Sequence, residues 1–152
     1  VGFFDDFFLV QKVSPRGEWD GFGLYPNSDL VAVSQDAEYL GMLVRLLERK
    51  NQTPPPVPKL AETGLKTVLM HGMEHNRMVG LELYKSGNQD VVGYVLAQSN
   101  LCVCLRQVGP FGEADGVCYV KTSAITRVYL EDGDLLCLEL LSQDADGSAS
   151  GT

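Results

Sequence analysis

Among the residue types able to do chemistry, His71-Gly72-Met73-Glu74-His75 has the sharpest spacing. On a helix it sets two imidazoles on one face, where they could hold zinc, with a carboxylate beside them to activate a metal-bound water. A third protein ligand is required, and Glu131 or Glu139 could be nominated. The pattern fixes only three residues, however, and Gly72 weakens the helix that would have to hold the ligands rigid. The expectation is two solvent-facing histidines on a helix or linker, with no catalytic group, no metal and no cofactor. A small metal-dependent hydrolase therefore ranks last of three functional readings.

The cysteines, Cys102, Cys104, Cys118 and Cys137, all fall in the second half. Cys102 and Cys104 alternate on one strand and point to the same face. Four thiols could build a zinc site or two disulfides, but C-x-C is not a common structural zinc spacing. Under the repeat described below, their counterparts are Phe7, Leu9, Gly23 and Met42, which are apolar or small. Buried free thiols acting as small hydrophobes account for both halves and fit a reducing compartment. Glu18-x-Asp20 and Glu113-x-Asp115 invite a paired-carboxylate reading. Each pair lies between glycines, Gly17 and Gly21 or Gly112 and Gly116. A tight connection is the simpler expectation, with Asp stabilising the turn and Gly taking a positive φ.

Those turns belong to an internal repeat. Val13-Ser14-Pro15-Arg16-Gly17-Glu18-Trp19-Asp20-Gly21 returns 95 positions later as Val108-Gly109-Pro110-Phe111-Gly112-Glu113-Ala114-Asp115-Gly116, with six of nine positions identical. A repeat governs the fold reading before any other signal, and here it implies two copies of one small unit. In the second copy, residues 78–84, 91–96, 101–108, 117–122 and 125–130 read as five short strands separated by turn signals, a spacing that suits a small barrel. In the first copy, residues 1–4 and 7–10 match the second and third of these, but nothing corresponds to residues 78–84. That leaves an open edge, to be filled from elsewhere in the chain or by a partner. Residues 37–47 read as an amphipathic helix with N-cap chemistry at Ser34-Gln35-Asp36. Residues 134–141 read as a helix by analogy, with a strand as the alternative, and a further helix spans about residues 60–75.

The expected organisation is a first barrel repeat with its C-terminal helix over residues 1–50, a Pro-rich linker over 51–65, a second barrel repeat over 66–143 and a flexible tail over 144–152. The class is mainly β with flanking helices, α+β, as two tandem small barrels. A net charge of −8, with 12 scattered Lys and Arg, lowers the expectation of nonspecific nucleic-acid binding. No apolar run approaches the roughly 18–20 residues that span a bilayer. The start lacks both a basic leader region and an initiator Met, which suggests a fragment or a processed start; a cytoplasmic setting is the default.

Candidate interaction residues are Trp19, the only Trp, which Ala114 replaces in the second copy, and Arg106, Tyr119, Lys121 and Arg127. The first-copy counterparts of the last four are Gln11, Leu24, Pro26 and Ala32, so any RNA surface belongs to the second copy alone. Five short strands with Gly-rich turns and a flanking helix resemble the small barrels of the Sm-like and SH3-like class. Residues 79–130 look most like an Sm-type core, and residues 1–33 like an incomplete second one. Such a resemblance implies ring assembly and RNA binding, although the nearest segments to the family's RNA loops, Ser99-Asn100 and Thr126-Arg127, depart from its acidic-Asn and Arg-Gly signatures. The leading expectation is a non-enzymatic interaction or scaffold module that meets a protein partner, or itself, through an open strand edge. An Sm-like RNA binder comes second.

Overall fold

The computed structural model describes residues 2–4, 6–35, 37–57 and 64–148, the last five of these by backbone alone. Among the described residues the chain order is β1 (Gly2–Phe3), β2 (Phe7–Val13), β3 (Trp19–Pro26), α1 (Glu38–Arg49), α2 (Gly64–Glu74), β4 (Met78–Leu83), β5 (Val91–Gln98), β6 (Cys102–Val108), β7 (Ala114–Lys121), β8 (Ile125–Leu130) and α3 (Gly133–Ser148). Single 3-10 turns occupy Asn27–Asp29 and Thr122–Ala124. The α+β, mainly β class is as expected. No described helix is long and apolar enough to cross a membrane.

The strands form one antiparallel sheet in the order β1-β2-β3-β8-β4-β5-β6-β7. It is not closed: its two edges are β1 and β7. The two halves therefore share a sheet instead of standing as separate closed barrels. They meet where β3 pairs with β8, with Phe22 opposite Leu130, Gly23 opposite Tyr129 and Leu24 opposite Val128. The other side of β8 pairs with β4. The edge expected to be open in the first half, beside β1 where a counterpart of β4 would pair, remains an edge of the sheet; β8 fills the opposite side of that half, beside β3.

Alternation decides which face each strand buries. On one face Phe22, Leu24, Val79, Leu81, Val128 and Leu130 join a core that continues through Val95, Val103 and Leu105. Burying Phe22 and Leu24 at the junction contributes about 1.5–3 kcal/mol each. α2 covers this core with Val68 and Leu69. A Cβ at Gly72 would overlap the side chain of Val79, so the glycine that weakens α2 is also what lets it seat. A second cluster of Met78, Tyr94, Val108 and Leu135 anchors α3, where Glu139 accepts the Met78 backbone N–H at 2.7 Å.

Local chemistry repeats with the sequence. β2, β3 and the turn Asn27–Asp29 have the same lengths as β6, β7 and the turn Thr122–Ala124, each 95 residues on. Ser14 N–H donates to Glu18 O at 2.8 Å and Gly109 N–H to Glu113 O at 2.9 Å. Gly17, Gly21, Gly112 and Gly116 all have positive φ, as the turn reading expects. Gly17 packs on Leu46 of α1 as Gly112 packs on Leu141 of α3.

Some boundaries depart from expectation. The N-cap of α1 is Ala37, with no side-chain cap bond, so the N-cap chemistry expected of Ser34 and Gln35 is not used, while Asp36 lies outside the described residues. α3 is a helix and not a strand, capped by Asp132, whose Oδ1 accepts Leu135 N–H at 2.9 Å. It runs to Ser148, into the stretch expected to be a tail. Residues 51–57 of the linker form no helix or strand, with Gln11 Nε2 donating to Pro55 O at 3.2 Å, whereas Gly64 and Leu65, assigned to the linker, already belong to α2. Residues 58–63, where the α2 helix was expected to begin, lie outside the described residues.

Candidate functional site

The sequence motifs with catalytic potential are each absorbed by local structure. His71 and His75 end α2 with their rings 4.2 Å apart, and His75 Nδ1 lies 3.0 Å from His71 O. Burial, then the neighbouring His75, lowers the pKa of His71. The carboxylates nominated as a third ligand are held by Arg77, Glu131 at 3.5 Å and Glu139 at 3.1 Å. Among the described residues no three His, Cys, Asp or Glu groups gather where a metal could be held. Glu18 pairs with Lys50 at 2.7 Å, and Asp20 accepts Gly133 N–H at 3.1 Å. Glu113 accepts Phe111 N–H at 2.9 Å. These carboxylates stabilise turns and helix starts.

The expectation of buried thiols is corrected. Cys102 and Cys137 are exposed and Cys104 and Cys118 half-buried, all unbridged. Of these only Cys118 packs against the core. The physical reason is alternation: Val103 and Leu105 of β6 take the core face, so Cys102 and Cys104 point to the other face, opposite Lys121 and Tyr119 of β7.

The densest group of charges lies where β3, β4 and β8 meet. Glu82, fully buried, accepts from Arg127 Nη1 at 3.1 Å and from Tyr129 OH at 3.3 Å. Arg127 Nη2 also donates to Asp29 at 2.9 Å, and Lys85 donates to the other Asp29 oxygen at 2.8 Å. The bonds from Lys85 and Arg127 hold the Asp29 carboxyl below the usual range, and the Asp29 bond raises Arg127. Burial raises Tyr25 and Tyr129. The Arg127 guanidinium further sits 5.5 Å from the centre of the Tyr25 ring. Every charge in this network has a partner, so it is built to hold three strands together. Arg127, a candidate interaction residue, is half-buried here and engaged by Asp29 and Glu82.

A cleft of about 300 Å³ opens between the start of α2 and the turn joining β5 to β6, lined by Phe7, Leu65, Lys66, Gln98, Ser99 and Thr122 among others. The Ser99 hydroxyl oxygen in it already accepts the Leu101 and Cys102 backbone N–H groups at 3.2 and 3.0 Å. Among the described residues no histidine lines the cleft to act as a base.

Of the two sheet edges among the described residues, β1 is two residues long and β7 eight, so β7 is the longer unpaired edge. Register with β6 places Val117, Tyr119 and Lys121 on one face together with Arg106. Three of the five sequence candidates, Arg106, Tyr119 and Lys121, are therefore brought together. Trp19, half-buried on β3, and Arg127, on β8, lie elsewhere in the sheet. Arg106 stacks on Tyr94 with its guanidinium 4.5 Å from the ring centre. A hydrogen bond with Cys104 raises the Tyr119 phenol. Val117 and Tyr119 are 56% and 72% exposed, while their repeat counterparts on β3, Phe22 and Leu24, are 1% and 0%. Sequence reasoning missed Val117 and Gly116, although the repeat could have signalled both: Gly21 is pressed against the backbone of residues 130–132, and Gly116 has nothing within 4 Å. Comparison with protein families, with curated proteins and with solved structures finds no match for this chain.

Proposed function

We propose that this chain is a non-enzymatic interaction module whose β7 edge recruits an extended segment by strand addition. The observation that carries this reading is the contrast just described: β7 has the length, turn chemistry and repeat position of β3 but lacks the neighbour that β8 provides. In strand addition the main chain supplies most of the affinity and alternate side chains select the partner. On β7 those selecting side chains are Val117 and Tyr119. A free apolar edge left without a role is a liability that proteins usually blunt.

The same proposal reads β8-β4-β5-β6-β7 with α2 as one small-barrel lobe resembling the Sm-like and SH3-like class, and β1-β2-β3 as an incomplete duplicate. The unbridged thiols support a reducing, cytoplasmic setting. The RNA reading has less support. Arg127 is consumed by Asp29 and Glu82, Arg106 lies on Tyr94, and the net charge is −8.

The test is fluorescence anisotropy with a library of labelled six-residue peptides of alternating apolar and polar residues. Saturable binding that Tyr119→Lys abolishes supports edge recruitment; absence of binding across the library contradicts it. Mixed single-stranded RNA at low and moderate salt is the parallel arm. Salt-resistant RNA binding would put the second reading first.

A further inference from the structure

We propose that the β7 edge is completed by residues 30–35 of a second copy of this chain, in the register that β8 adopts on β3. This rests on the reading of β7 as a recruiting edge and names its occupant. The internal repeat carries the β3–β8 junction over to the β7 edge. β3 corresponds to β7, and β8 corresponds to residues 30–35. Within one chain β3 and β8 are paired; the outer side of β7 and residues 30–35 have no strand beside them among the described residues.

Residues 30–35 carry the run Leu30-Val31-Ala32-Val33, with Val31 95% and Val33 65% exposed, and the backbone is extended at Leu30 and again at Ala37. Transposing the three observed pairs sets Val117 opposite Gln35, Cys118 opposite Ser34 and Tyr119 opposite Val33. Tyr119 and Val33 then stand directly opposite each other, in the register of Leu24 and Val128 inside the chain.

Two further contacts fall into place under the same transposition, and neither was used to choose it. Gly21 accommodates the backbone at the end of β8, and Gly116, with the same positive φ, faces open space of the kind such a backbone would fill. Asp20 on β3 accepts the first backbone N–H of α3, from Gly133, at 3.1 Å. The equivalent donor is the Glu38 N–H of α1, whose N-cap residue Ala37 makes no side-chain cap bond, and the equivalent acceptor is Asp115, exposed and, among the described residues, bonded by Gln107 at 3.3 Å. The second copy thus supplies to β7 a strand, an opposing valine and the start of a helix.

The contact joins two different surfaces, so it is head-to-tail and continues from copy to copy until it closes into a ring or remains an open chain. The test is sedimentation equilibrium of the intact chain over a range of concentrations. The expected wild-type mass rises above the 16.6 kDa of one chain. Val33→Pro removes a strand donor and Tyr119→Lys places a charge against it. Both positions are exposed, so far-UV circular dichroism should be unchanged, and each variant alone should sediment as one chain. Mixed, they should form a 1:1 heterodimer and stop there, because the first retains β7 and the second retains residues 30–35. Wild type that stays a single chain at its highest soluble concentration overturns the proposal. So does association indifferent to both variants, or a mixture that fails to pair. A monomeric wild type that still binds library peptides would reject self-association while leaving the edge reading standing; failure of both rejects both.

Discussion

Gly21 and Gly116 form a matched pair for a quantitative test of the β3–β8 junction. Both have positive φ, +68° and +79°, so replacing either with Ala incurs the left-handed cost of an L residue, about 1–2 kcal/mol. Only Gly21 adds a collision. Its Cβ would overlap Leu130 O, Glu131 C and Asp132 N, main-chain atoms that cannot rotate away. Forcing such atoms apart costs about a further 1–3 kcal/mol. Gly21→Ala is therefore expected to lose about 2–5 kcal/mol and Gly116→Ala about 1–2 kcal/mol. For a chain of this size the former lowers Tm by roughly 10 °C. Urea unfolding followed by Trp19 fluorescence, at dilution sufficient to keep single chains apart, reads both. Equal losses at the two sites would refute the strand pairing on which the sheet order rests. At high concentration Gly116→Ala should also weaken association, because the added methyl stands where the incoming backbone would lie.

Other consequences follow from the charged tie and the histidine pair. Arg127→Met leaves the fully buried Glu82 carboxylate without its cation and should cost about 3–5 kcal/mol, part of it recovered in Glu82→Gln/Arg127→Met, as urea unfolding would show. Asp29 has a depressed folded-state pKa, so its stabilisation is complete above the ordinary carboxylate value of about 3.9 and is lost as pH falls through the lower folded value. Thermal melts from pH 5 downward should thus show a shallower acid decline in Asp29→Asn, which starts less stable at neutral pH. Stoichiometric zinc should be absent from protein purified without chelator, and zinc or a chelator should leave Tm unchanged; a zinc-dependent rise abolished by His71→Ala would contradict this.

How much of this was legible in sequence depended on whether the determining contacts were local. Alternation and turn residues located β8 at Ile125–Leu130, and the glycines at 17, 21, 112 and 116 announced positive φ because turn geometry is set by a few neighbouring residues. The repeat announced that β2 and β3 should mirror β6 and β7. It could not announce that β3 would sit beside β8, since that choice is made by Phe22 and Leu24 burying against Val128 and Leu130 more than a hundred positions away. The same non-locality hid the role of Arg127, whose partner Asp29 is 98 residues distant. The thiols were misjudged for a related reason. Leu9 pairs with Leu24 on the core face, whereas its counterpart Cys104 pairs with Tyr119 on the face opposite Val103 and Leu105, so equal repeat positions do not receive equal burial.

The most direct measurement is residue-resolved amide hydrogen exchange of β7 and β3 in the same sample, first dilute and then concentrated. With β7 a free edge in the single chain, its outward-pointing amides among residues 114–121 should exchange rapidly when dilute, while Phe22, Gly23 and Leu24 on β3 stay protected by β8. Concentration should then slow the β7 amides selectively, together with residues 30–35. Protection of β7 equal to that of β3 in the dilute single chain, or no gain in protection at any concentration or with any strand peptide, would contradict an edge built to recruit.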